Sequence, residues 1–254
     1  MEQIIRFSTK RLTIFVGDYG SGKTEVSLNF VLALRGYKER VKIADLDIVN
    51  PYFRSREASE ILKRADIELI APAGEQAWAD LPIILPGIAG AIHDEGANVV
   101  LDVGGEAAGS RVLSSLLNEA SEIDYDLLAV LNANRPFTAD ADGSENVLHK
   151  IEEASNLRVT GVVSNTHLLR ETTPEMVLKG YEVAERLARR LGVDVRFISV
   201  EKSVAERLDT SSLSAPVFAL TRYVLLPWET TETEAAISER GSDARSQSGW
   251  TGGD

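Results

Sequence analysis

Cysteine is absent from the 254 residues, which excludes disulfides, cysteine zinc sites and cysteine-held iron–sulfur clusters within the chain. No apolar run approaches the ~20 residues that a spanning helix needs. The opening residues, Met1-Glu2-Gln3-Ile4-Ile5-Arg6, lack the apolar stretch of a secretory signal. The default expectation is a cytoplasmic protein with no membrane partner. Positive charge is scarce: 27 Lys and Arg stand against 39 Asp and Glu, for a net charge of −12. A field of that sign opposes binding to nucleic acid, so none is expected as a partner. A G-x-S-x-G element is missing, and without cysteine there is no thiol nucleophile. His93, His149 and His167 show no metal-ligand spacing and read as structural or exposed.

Apolar residues make up 44% of the chain, enough for a sizeable core. Many gather in short, continuous runs at 11–16, 41–44, 67–70, 98–101, 127–131, 159–163 and 195–200, which read as buried strands. Helices are predicted between them: 25–35, a stretch ending near Arg64, 81–93 with a break near Pro86-Gly87, one ending near Asn118, 138–154, and Pro174 to about Leu191. Pro216 is expected to open a final short helix. Strands alternating with helices predict an α/β fold, a parallel sheet of about seven strands covered on both faces. Residues 1–228 read as a single domain. Glu229 to Asp254, rich in Glu, Thr, Ser and Gly, is expected to be a disordered acidic tail.

Directly after the first run comes Gly17-Asp18-Tyr19-Gly20-Ser21-Gly22-Lys23-Thr24, which fits G-x-x-x-x-G-K-[ST]. A strand before it and a helix after it are the context that a phosphate-binding loop requires. Its glycines let the backbone take positive φ and approach a ligand closely. Successive N–H groups then form an anion nest, and the helix start adds its unpaired N–H groups and its dipole. Lys23 is expected to reach the β- and γ-phosphates, and Thr24 to offer its hydroxyl to Mg²⁺. The candidate nucleotide-binding set runs from Gly17 through Glu25.

Further polar residues follow the other strands, which places them on the same sheet edge. Asp102 is expected to hold the Mg²⁺ shell, and Gly104 and Gly105 to sense a γ-phosphate. Asp47 is expected to reach the attacking water or the metal; Asp45 does the same or caps its loop. Lys23, Asp47 and Asp102 are thus the catalytic candidates, and Thr24, Asp47 and Asp102 the metal candidates. Asn165 carries an amide able to read a base edge, since it both donates and accepts. For Asn132 a turn role is at least as good a reading. Arg54, Arg56, Arg111 and Arg135 lie in or near these loops, and an Arg fork matches phosphate oxygens.

In their order, Gly17–Thr24, Asp45-Leu46-Asp47, Asp102-Val103-Gly104-Gly105, Asn165 and the Ile198–Ala205 segment resemble the MinD/ParA-type P-loop ATPases, within the CobQ/CobB/MinD/ParA nucleotide-binding domains. The resemblance spans about residues 11–225. It implies a P-loop NTPase with a mostly parallel sheet of seven or eight strands, ATP and Mg²⁺ as ligands, slow hydrolysis and an ATP-dependent homodimer. One departure is Asp18, where the family carries a second lysine that crosses the dimer. The loop is also similar to that of the metallochaperone GTPases. Those proteins read guanine with N-K-x-D, whereas Asn165-Thr166-His167-Leu168 has neither the Lys nor the Asp. ATP is therefore expected over GTP. The leading functional expectation is an ATPase acting as a nucleotide switch on a protein partner. The alternatives are an ATP-dependent synthetase or kinase of the dethiobiotin synthetase type, a metallochaperone-like GTPase, and a non-hydrolysing ATP-binding module.

Overall fold

A computed structural model describes residues 10–46, 56–70, 81–104, 107–118 and 123–224. The expectations for Asp47, Arg54, Gly105 and the 229–254 tail lie outside these residues.

Eight strands form one parallel sheet: β1 Leu12–Val16, β2 Val41–Leu46, β3 Glu68–Ile70, β4 Asn98–Val103, β5 Tyr125–Leu131, β6 Gly161–Ser164, β7 Asp194–Glu201 and β8 Val217–Leu220. Their order is β3-β2-β4-β1-β5-β6-β7-β8. The chain works outward from β1 on one side, returns to β4, and then crosses to β5 on the other side. That reversal opens a crevice at the carboxyl ends of β4, β1 and β5, where open α/β sheets receive ligands.

The helices are α1 Lys23–Arg35, α2 Arg56–Arg64, α3 Leu81–His93, α4 Ala107–Asn118, α5 Ala141–Ser155, α6 Pro174–Leu191 and the single turn α7 Lys202–Ala205. Strand alternation divides the apolar residues between two faces. Leu12, Ile14, Leu101 and Ala129 pack with Ile88, Leu113, Leu148 and Leu187 of α3 to α6. Phe15, Ile43, Val100 and Leu128 pack with Val26, Phe30 and Leu62 of α1 and α2. On this second face Phe15 meets Phe30 edge-on at 5.2 Å, Phe30 stacks on Phe197 at 6.4 Å, and Phe197 meets Phe218 edge-on at 5.6 Å. This aromatic row fixes α1 across the middle of the sheet, and with it the loop from which α1 starts.

The structure departs from the sequence reading at two elements. After Pro216 there is no helix: Val217–Leu220 is the eighth strand, in register with Ile198–Glu201. The Ile198 N–H donates to Pro216 O at 2.9 Å, and Phe218 and Leu220 turn inward with period 2. Helix α3 is continuous through Pro86. Ile88, Ala91 and Ile92 are buried beyond the proline, and that packing outweighs the one hydrogen bond it removes.

Candidate phosphate-binding site

The loop between β1 and α1 takes the backbone its glycines permit: φ is 150° at Gly17, 72° at Gly20 and 84° at Gly22. It is pressed onto the ends of the neighbouring strands. A Cβ at Gly17 would lie 2.4 Å from Val130 O of β5, and one at Gly22 would lie 2.3 Å from Asn165 Nδ2. Gly22 is the N-cap of α1, and no side chain caps the helix there. The first N–H groups of α1 are thus left for a ligand. Ser21 N–H donates to Asp18 O at 3.1 Å, closing a turn. Lys23 is only 5% exposed, and its Nζ meets the same Asp18 oxygen at 3.4 Å.

Three side chains hold the loop from behind. Asn165 Nδ2 donates to Ser21 O at 2.7 Å, and its Oδ1 accepts from Ser199 Oγ at 2.9 Å. Asn132 Nδ2 and Arg135 Nε both donate to Gly20 O, at 3.2 and 3.0 Å. The amide that the sequence reading set against a base edge is therefore engaged on both ends, in shaping the loop. Asn132, read as a turn residue, also grips the loop. The role of Arg135 was only one of four open possibilities, because nothing local in the sequence says that β5 lies beside β1.

Asp102 closes β4 fully buried, and Asp45 of β2 is registered directly beside it at 3% exposure. Phe15 is its neighbour on β1, so both carboxylates belong to the face that α1 covers. Gly104, also buried, follows at the same edge. Mg²⁺ takes one or two carboxylates, phosphate oxygens and water. Asp102 and the half-buried Thr24 fit that donor set. The described residues contain no cluster of three or more acidic or imidazole groups that would form an all-protein cage. Asp47 lies outside them. Arg111 is exposed.

Glu25 is placed differently from the rest of its set. Its carboxylate turns from the loop and accepts from Tyr223 N–H and Val224 N–H, both at 2.9 Å. Asn29 adds a donor to it at 3.2 Å and exchanges hydrogen bonds with the main chain of Thr221 at 2.8 Å in both directions. Burial raises the Glu25 carboxyl above its usual range, against the two backbone donors that lower it. The side chain therefore ties the segment after β8 to the root of the phosphate loop. Only its main-chain N–H remains for a nucleotide.

His167 sits behind Gly22, its Nε2 3.1 Å from where a Cβ there would stand. That nitrogen is buried without a hydrogen-bond partner among the described residues. Burial first, then the Arg135 and Arg222 guanidinium groups, lower its pKa from 6.5 to about 4. The neutral ring is thus the form that folds. Its contribution is full above the unfolded value and is lost as pH falls from about 6.5 towards 4, by ~1.4 kcal/mol per unit. Proton-detected NMR should show the His167 ring titrating near 4. Across that window the stability difference between wild type and His167→Gln should narrow with acid. A His167 midpoint at 6.5 would contradict this account.

Large apolar side chains are exposed in the loop and in the segments that follow β5 and β6: Tyr19 at 66%, Phe137 at 71%, Leu168 at 41% and Leu169 at 39%.

With this geometry in place, the chain compares with known proteins as follows. No family model and no curated protein matches the sequence. Among solved structures, the cell division protein FtsY of Thermotoga maritima superposes with a TM-score of 0.52 at 19% identity, over 75% of this chain and 62% of that one. Chloroplast FtsY of Physcomitrella patens gives 0.50 at 18%, over 78% of this chain and 60% of that one. The fold is that of the P-loop NTPases. This chain spans about three-fifths of the length of those proteins. At such identity the likeness concerns the fold.

Proposed function

We propose that the protein is a Mg²⁺-dependent ATPase of the MinD/ParA type, a nucleotide switch that acts on a protein partner. The observation that carries this reading is the loop itself: three glycines at positive φ, an uncapped helix start and a buried lysine, beside two registered buried carboxylates. In it Lys23 binds the β- and γ-phosphates, Thr24 and Asp102 take the Mg²⁺, and the N–H groups of Gly20 to Glu25 cradle the phosphates. Mg²⁺ would offset phosphate charge; Lys23 neutralises the rest and fixes the terminal phosphoryl group for attack by water. Asp47 and Gly105 complete the set as water-orienting and γ-sensing groups.

The base is adenine in this reading. A guanine-reading site needs an acceptor for the N1–H and amino groups, and Leu168 stands where that aspartate would be. The MinD/ParA proteins share a class of P-loop NTPases with FtsY, which supports the assignment. The partner docks on the rim of Tyr19, Phe137, Leu168 and Leu169, next to the nucleotide, where it senses hydrolysis. Asp18 has no side-chain partner among the described residues, and its negative charge disfavours a homodimer closed over two nucleotides. A cytoplasmic location follows from the same reading. No helix among the described residues is long and apolar enough to cross a membrane.

Single-turnover hydrolysis of magnesium ATP and magnesium GTP tests this function. ATP is expected to bind at least about tenfold more tightly, a difference of ~1.4 kcal/mol, and to turn over slowly. A preference for GTP overturns the base assignment. Rapid phosphoryl transfer to a metabolite in place of water overturns the switch.

A further inference from the structure

A trans peptide sets its C=O and N–H antiparallel. A donor that holds the Gly20 carbonyl therefore also aims the Ser21 N–H. That N–H and Lys23 Nζ converge on one oxygen, Asp18 O, at 3.1 and 3.4 Å. The Ser21 N–H is thus engaged in the turn it closes, on the side of the loop where Lys23 lies. Behind it, Gly20 O accepts from Asn132 Nδ2 and from Arg135 Nε. Both donors are themselves fixed. Asn132 is fully buried; its Oδ1 accepts from the N–H groups of Asn134 and His167, and its main-chain oxygen accepts the Thr138 hydroxyl at 2.7 Å. The Arg135 guanidinium lies flat against Gly20, so that a Cβ there would be 2.6 Å from Cζ.

We propose that Asn132 and Arg135 are positioning residues, which clamp the Gly20 peptide from outside and so hold the turn that Ser21 N–H closes onto Asp18 O, the frame from which the N–H groups of Gly22 to Glu25 meet the phosphates. Their bonds to the loop run to its main chain. The clamp pre-orders the loop, so a ligand meets donors already aimed at it. This rests on the reading of the loop as a phosphate site.

Arg135 is the cleaner residue to change, because it is half-buried, whereas the buried Asn132 side chain also bonds the main chain of Asn134 and His167. The probes are magnesium tripolyphosphate, which has no nucleoside, and magnesium ATP, titrated calorimetrically. Arg135→Ala is expected to weaken both by the same factor, about tenfold, with the melting temperature of the unliganded protein unchanged. Arg135→Lys, which keeps a charged donor, is expected to recover binding to within about threefold of wild type. Equal affinity of wild type and Arg135→Ala for tripolyphosphate overturns the proposal, whether or not ATP binding changes. A wild type that binds neither probe overturns the reading of the loop and the proposal with it.

Discussion

Lys23→Ala is expected to weaken magnesium nucleotide binding by at least about 100-fold without loss of the fold. The lysine is 5% exposed, and among the described residues its ammonium has one long bond, 3.4 Å, to a main-chain oxygen. A buried charge held that loosely adds little to stability and costs desolvation. With phosphate present it becomes one half of a buried, charge-assisted pair. Removing one partner of such a pair costs ~3–5 kcal/mol, or roughly 100- to 4,000-fold in affinity. The variant should therefore melt at or above the wild-type temperature without nucleotide, and lose the stabilisation that nucleotide confers on wild type. Unchanged affinity measured by equilibrium dialysis would contradict the role given to Lys23.

The second large effect is steric. Gly17→Ala is expected to destabilise the protein by ~3 kcal/mol or more, because strain at φ 150° adds to a contact that cannot relax. The obstructing atom is a main-chain oxygen, Val130 O at 2.4 Å, on the central strand β5. Gly192 supplies the control. It also has positive φ, 68°, at the end of α6, but an added Cβ meets nothing within 4 Å. Gly192→Ala should cost only ~1 kcal/mol. Urea unfolding of the two variants measures the contrast directly. Equal costs would mean that the loop is not pressed against β5.

Much of this fold was legible because its signals are local. Most strands are apolar runs, β2, β4, β5 and β6 deliver polar residues at or just past their carboxyl ends, and the loop motif lies between a strand and a helix as the chemistry requires. What escaped reading depends on which strands are neighbours. Arg135 and Gly20 are 115 residues apart, and Glu25 and Val224 are 199 apart. No pattern within either segment announces the contact. Asn165 was read as facing a base because it ends a strand on the correct edge. Only the order β1-β5-β6 reveals that Ser21 O comes between them. The eighth strand was missed because Pro216 is as good a strand leader as a helix opener, and four residues are too few to show a period.

The central claim is that phosphates bind at residues 17–25, and amide chemical-shift mapping during titration with magnesium ATP tests it most directly. The account predicts that the largest shifts fall on the N–H groups of Gly20 to Glu25, with smaller ones at Asn132, Arg135 and Asn165. A cavity of about 420 Å³ lies at the other end of the sheet and is lined in part by Arg40, Lys42 and Lys63. Largest shifts there, with the amides of Gly20 to Glu25 unmoved at saturation, would contradict the account.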